Sequence, residues 1–257
     1  MISIITSTKD LLIKDIKQKL IFFNELKSNR INFEWVIQDC NAQEDILDLL
    51  RQYDFISLIS EPDTGVYNAW NKAICRARGE AICFIGIDDF PSLEWLLFAS
   101  SIKLKGYEAI SCDVLLKSQD GESLGVFKNL QAGTHIINEV SFAPPGLIFS
   151  KDIYLNRQFL EKYSIISDGI FYSSLNMLKI VAYFGAVGVE MTVGGVSNSP
   201  IGARRRLHEF ISALWLGEMD RTANNLNRLI IANIPAYLLS FFPRAYIHAQ
   251  KFKWKFL

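Results

Sequence analysis

The chain has 257 residues, enough for one large domain or one domain with an appendage. Half of them are hydrophobic and 21% are charged, a globular composition rather than a disordered one. The 27 Lys/Arg balance 27 Asp/Glu, so no overall basic field draws in nucleic acid.

Along the first half, strand and helix patterns alternate. Ile2–Thr6 reads as a short buried strand, and Asp10–Lys27 has helical spacing at Leu12, Ile16, Leu20, Phe23 and Leu26. Phe33–Asp39 is the second strand, Ala42–Tyr53 a helix and Phe55–Ile59 the third strand. Gly65–Arg78 is a helix whose apolar stripe is Val66, Ala69, Trp70, Ala73, Ile74 and Ala77, with Gly79 placed as its stop. Ala81–Gly86 is the fourth strand. Near-continuous apolar strands alternating with helices imply a mostly parallel sheet covered on both faces.

The second half is sparser. Ala109–Leu116 and Ser123–Phe127 flank Gln119-Asp120-Gly121, a hairpin signal. Val187–Val193 reads as a late strand and Ser197–Ala203 as a loop. Arg204–Gly217 and Asp220–Ala232 look helical. From Ser199 onward there are nine Lys/Arg against three Asp/Glu, so a basic tail follows an acidic body. Within it, Leu229–Leu257 mixes aromatic and branched residues with Arg244, Lys251, Lys253 and Lys255, a composition suited to a membrane interface or to packing and dimerisation. Cys40, Cys75, Cys83 and Cys112 form no C-x-x-C pair, and buried, reduced thiols are expected. Met1 leads directly into a strand-like run rather than a signal peptide, so the expected location is the cytoplasm, peripheral at the inner face of the membrane if the tail binds lipid.

Ligands of parallel α/β sheets bind at the carboxyl ends of strands. Here those ends are Thr6–Lys9, Asp39–Asn41, Ser60–Gly65 and Ile87–Phe90, and they carry Asp39, Asp63, Asp88 and Asp89, with Glu61 as a fifth acid. Adjacent carboxylates repel, and a divalent cation offsets that repulsion. The bland alternative is that Asp88 or Asp89 caps a helix beginning near Pro91. Asn71 and Arg78, seven apart, would put an amide and a base on one side of the third helix.

The stretch EPDTGVYNAWNKAICRARGEAICFIGIDD resembles the family 2 glycosyltransferases of GT-A fold. The matching positions are Glu61, Asp63, Gly65, Tyr67, Ala69, Asn71, Lys72, Ala77, Gly79, Glu80, Asp88 and Asp89. The resemblance extends to Glu34–Asp39 and to Gly194-Gly195-Val196-Ser197, about residues 1–200 in all. It departs from the family at Ser7-Thr8-Lys9, Cys40–Gln43 and Ala73.

The resemblance implies a Rossmann-like catalytic domain over about 1–200, with a donor half (about 1–107) and an acceptor half (about 108–200), followed by a helical extension, 201–257. It implies an inverting, metal-dependent transfer of a sugar from a nucleotide diphosphate to a glycan or lipid-linked glycan, in polysaccharide assembly. Asp39 and Asp63 match the acids that hold the nucleoside base. Asp88 matches the donor side and Asp89 the Mg²⁺ or Mn²⁺ ligand of the metal motif. Asn71 and Lys72 match the helix beside the donor, and Thr6, at its strand end, joins them. Asp168 in Tyr163–Gly169 matches the catalytic base, with Asp152 and Glu161 as competitors. Arg204-Arg205-Arg206 could fold over the diphosphate or form a solvated turn or lipid-facing patch. A non-catalytic nucleotide-sugar binder on the same fold is the rival reading. A glycoside hydrolase would place its two acids across a bond rather than adjacent in sequence. A dinucleotide oxidoreductase would need G-x-G-x-x-G after the first strand, which is missing.

Overall fold

The computed structural model describes residues 1–9, 11–135, 142–175, 178–195, 199–219, 228–243, 245–247 and 249. Its centre is a nine-stranded sheet in the order β3-β2-β1-β4-β8-β6-β9-β5, with β7 paired to β6. The strands are β1 (Ile2–Thr8), β2 (Phe33–Asp39), β3 (Ile56–Ser60), β4 (Ala81–Phe84), β5 (Phe90–Pro91), β6 (Glu108–Lys117), β7 (Ser123–Phe127), β8 (Leu147–Ser150) and β9 (Lys179–Thr192). β3, β2, β1 and β4 are parallel neighbours, and β6 pairs parallel with β9. β8 runs antiparallel between β4 and β6, and β5 and β7 run antiparallel on β9 and β6. The sheet is therefore mostly parallel, as expected.

The helices are α1 (Ile13–Ser28), α2 (Glu44–Leu50), α3 (Val66–Arg76), α4 (Leu93–Ser100), α5 (Ser167–Ser173), α6 (Pro200–Trp215) and α7 (Ile234–Leu239). Alternation along the strands divides the core. Ile2 and Ile4 of β1 and Phe33, Trp35 and Ile37 of β2 pack with Ile16, Leu20 and Phe23 of α1. Ile5 and Val36, one register position on, face the opposite layer with Tyr67, Ala73 and Ile74 of α3 and a group of rings around Phe159 and Tyr172. A third cluster joins Phe210, Ala213 and Leu214 of α6 to Tyr163, Ile166 and Ile170, so α6 lies over the segment leading into α5.

Several local expectations change. The inward face of α3 includes Tyr67 and Asn71, while Val66 is exposed. The cause is the segment around Phe159 and Ile165, which crosses α3 and buries positions that helical spacing assigned elsewhere. Gly79 is not the helix stop, for α3 ends at Arg76 with Ala77 as its cap. Gly79 is instead a close approach: a Cβ there would lie 2.6 Å from Ser3 Oγ and 2.8 Å from Met1 O. Pro200–Ala203 is helical rather than loop, because Ser199 accepts from Gly202 N and Pro200 occupies the first turn of α6. Of the helix expected over 220–232, residues 220–227 lie outside the described residues, and Arg228–Asn233 forms a π-helical turn. Val196, Ser197, Arg244 and residues 251–257 also lie outside them.

Candidate active site

The carboxyl ends of β1 and β4, the start of α3, the end of β9 and the N-terminal ends of α5 and α6 surround a cleft of about 650 Å³. Asp88, Asp89 and Asp168 all line it, with Ser7, Tyr67, Trp70, Thr192 and Arg205 among the other walls. Asp168 comes from a part of the chain some eighty residues beyond the aspartate pair. The fold thus brings the aspartate pair and Asp168 to one cleft.

The Asp88–Asp89 turn follows β4, and neither aspartate caps the next helix. Phe90-Pro91 pairs with β9 first, and Ser92 then caps α4 by accepting from Trp95 N. Asp88 is exposed to the cleft, whereas Asp89 is buried. Asp89 Oδ2 accepts from Gly86 N at 2.9 Å and Oδ1 from Thr192 N at 3.1 Å. Burial, followed by repulsion from Asp88, pushes the Asp89 carboxyl up to about 6. Beneath the turn, the fully buried Lys19 donates to Asp89 O, and its Nζ lies 4.4 Å from the Phe90 ring centre. Burial lowers Lys19 to about 8, against the pull of Asp89 and Asp88. Lys19 sits three residues after Ile16 on the apolar stripe of α1, the one sequence signal that could have marked it.

Two adjacent carboxylates are a donor set of the kind that Mg²⁺ or Mn²⁺ accepts. A Cβ placed on Gly86 would meet Asp89 Oδ2 at 2.7 Å and Asp88 Oδ1 at 3.1 Å, so oxygens of both carboxylates converge on one point. Among the described residues no group of three His, Cys, Asp or Glu could hold a metal. Mg²⁺ and Mn²⁺ sites of this kind need only one or two protein carboxylates, the remaining ligands being water and substrate phosphate.

Asp168 is the second residue of α5. Its Oδ1 accepts from Gly169 N at 2.8 Å and lies 2.8 Å from the Tyr67 hydroxyl, which also lies 2.9 Å from Ile165 O. Burial, then the Asp168 charge, keeps the Tyr67 phenol well above its ordinary value and hence protonated as a donor. Glu209 of α6 fixes the same loop by accepting from Ser164 N, Ser164 Oγ and Ile165 N. The two competitors point elsewhere. Asp152 accepts from Gly106 N, and Glu161 from Asn68 and Asn71.

The remaining expected site residues do not line the cleft. The Thr6 hydroxyl is buried, donating to Ile85 O and accepting from Trp35 Nε1, so it pins β1 to its neighbours. Asn71 pairs with Phe159 N, Phe159 O and Glu161. Lys72 pairs with Pro62 O and Glu61, and Arg78, beyond the helix, with Glu34. Asp63 accepts from Gly65 N and shapes the entry to α3. Asp39, at the end of β2, accepts at Oδ2 from Asn41 N, while its buried Oδ1 has no partner among the described residues. Burial raises its carboxyl above the ordinary range.

Tyr67 stood in the matched motif without a role, and Arg205 was one of three arginines the sequence could not separate. The structure separates them. Arg204 bonds Ser240 and Arg206 bonds Asn233, whereas Arg205 lines the cleft with Nη1 3.3 Å from Ser164 Oγ.

No protein-family model and no curated protein sequence matches the chain. Solved structures do. The mannosyltransferase PcManGT of Pyrobaculum calidifontis, solved with GDP-Man and Mn²⁺, is similar with a TM-score of 0.62 at 16% identity, over 96% of this chain and 75% of that one. S. aureus TarS 1-349 is similar in its complex with UDP (TM-score 0.56, 20% identity, 88% of this chain and 71% of that one). Its complex with UDP-GlcNAc gives a TM-score of 0.55 at 17% identity, over 94% and 72%. At these identities the likeness is one of fold: the chain has the mixed α/β fold of its glycosyltransferase neighbours.

Proposed function

We propose that the chain transfers a sugar from a nucleotide diphosphate to a hydroxyl of a glycan or lipid-linked glycan, with inversion at the anomeric carbon. The carrying observation is that Asp88 and Asp89, at one wall of the cleft, and Asp168, at another, face a single space large enough for both substrates. The neighbours sharing this fold were solved with UDP, UDP-GlcNAc and GDP-Man, which supports a donor of that class.

Asp88 and Asp89 would hold Mg²⁺ or Mn²⁺, which when bound supplies Lewis-acid stabilisation of the diphosphate leaving group. Lys19 and the Gly86 and Thr192 amides hold the turn in place. Asp39, with its Oδ1 unpartnered among the described residues, and Asp63 are assigned to the nucleoside from the carboxyl ends of β2 and β3, outside the lining of the cleft itself. Asp168 takes the proton from the attacking acceptor hydroxyl as general base. Tyr67 and Gly169 orient its carboxylate, and a single displacement on the face opposite the leaving group inverts the centre.

The test is Asp168→Asn, assayed with UDP-, GDP- and dTDP-sugars in the presence of Mn²⁺. Turnover should fall by about 10²-fold or more, the usual weight of a general base, while donor binding stays within about twofold. Near-normal turnover in Asp168→Asn removes Asp168 from the mechanism. Donor binding by the wild type with no transfer or hydrolysis favours the non-catalytic binder instead.

A further inference from the structure

Beside the cleft, the outer surface of α6 and α7 carries exposed apolar side chains that no described residue covers. α6 is two-sided: Ala203, Leu207, Phe210, Ala213 and Leu214 are buried, while positions 201, 205, 208, 211 and 215 form the opposite stripe at spacings of three and four. On that stripe Ile201 is 67% and Trp215 78% exposed. Arg205, on the same stripe, also lines the cleft, so the apolar face begins at the rim of the site.

α7 is fastened alongside. Arg204 bonds Ser240 through both side chain and backbone, and the ring of Tyr237 meets His208 edge-on. None of the residues of α7 is buried. Leu238, Phe241 and Phe242 are exposed, and in the preceding π-helical turn Ile231 is 73% exposed. This end of the chain is also basic, with nine Lys/Arg against three Asp/Glu from Ser199 onward. Its last seven residues alternate Lys251, Lys253 and Lys255 with Phe252, Trp254 and Phe256 before Leu257.

We propose that the α6–α7 face docks on an anionic lipid surface and sets the cleft mouth, at Arg205, at the level of the headgroups. Two requirements choose the occupant. Branched and aromatic side chains need an apolar phase, and the excess of Lys and Arg in this end of the sequence needs negative charge. The boundary of an acidic bilayer supplies both. A second copy of the same face supplies only the first, because it sets excess positive charge against excess positive charge. Among the described residues no helix is long and apolar enough to cross a membrane, so the contact lies in the surface plane. Docking itself stands apart from the glycosyl-transfer reading. Only its consequence, an acceptor presented from the bilayer, rests on that reading.

Vesicle flotation tests the proposal, using the full chain with phosphatidylcholine vesicles lacking or containing phosphatidylglycerol. The wild type should float with the anionic vesicles, and high salt should release part of it. Trp215→Glu combined with Ile231→Glu alters two exposed positions and should leave the circular dichroism unchanged, yet lower the bound fraction by about tenfold or more. Failure of the wild type to float, or equal flotation of the variant, overturns the proposal. So does a wild-type dimer in light scattering that the double variant dissolves without any vesicle binding, which would make the face a self-interface. Nucleotide binding measured without lipid reports on the glycosyl-transfer reading alone, so the two can fail separately.

Discussion

Tyr67 links the two sides of the cleft at the scale of a single hydroxyl. Its ring is held by Trp70 and Phe159 at centroid distances of 5.4 and 5.6 Å, and its proton is shared between Asp168 and Ile165 O. Tyr67→Phe keeps the ring and removes only the hydroxyl. A hydrogen bond to a charged group contributes about 1.5–3 kcal/mol, so kcat should fall by roughly 10-fold to 100-fold. The donor KM should stay within about twofold, since the Tyr67 hydroxyl holds Asp168, the proposed base, rather than the donor. Unchanged kcat would show that Asp168 needs no such orientation. A second residue-scale test concerns Glu34, which is buried and accepts from Ser3 Oγ, Arg78 N, Gly79 N and Arg78 Nε. Burial pushes its carboxyl up, but the bonds from Ser3 and Arg78 outweigh it and hold it below 4.5. A depressed carboxyl contributes stability above its unfolded value and loses it as pH falls through the folded value. Glu34→Gln should therefore cost about 2 kcal/mol near neutral pH. That gap should narrow below 4.5, as chemical denaturation at several pH values would show.

At the scale of elements, α3 shows what periodicity can and cannot predict. Its span was legible because Ala69, Ala73 and Ile74 recur at helical spacing. Its orientation was not, because Asn71 and Tyr67 owe their burial to a segment about ninety residues away. Asn71 staples that segment by bonding both backbone groups of Phe159. Asn71→Ala should cost about 2–3 kcal/mol in denaturation, since it leaves a buried N–H and C=O unpaired. Donor affinity should stay within about twofold; a large loss of affinity with normal stability would show that Asn71 serves the donor site. β5 and β8 escaped the sequence for a related reason. Two to four residues are too few to carry a period, and their partners, β9 and the β4–β6 pair, are distant in the chain. Ser92 could have been read as the cap of α4, yet two adjacent aspartates just before it were the louder signal.

At the scale of the whole molecule, the cleft is assembled from strand ends of the first half and from β9, α5 and α6 of the second. A ligand seated there braces segments that are otherwise joined mainly through the sheet. A nucleotide with Mn²⁺ at about 100 times its dissociation constant should stabilise the chain by about 2.7 kcal/mol. For a chain of this size that is a rise in Tm of roughly 5–10 °C. Chelation with EDTA should remove most of the rise, as should Asp88→Ala. A rise that survives both would show binding without the metal. The sequence by itself determined the parallel half of the sheet, the helices that cover it and the acids at its strand ends, because those follow from local periodicity and from the rule for where strands end. Only the tertiary structure decided which acids meet. Asp168 joins Asp88 and Asp89 because the segment leading into α5 folds back across α3, and Arg205 is parted from its neighbours because Ser240 and Asn233, at the two ends of α7, capture the other two. Such long-range contacts leave no period in the chain, so the expected donor residues Asn71 and Lys72 were legible as a motif while their partners were not.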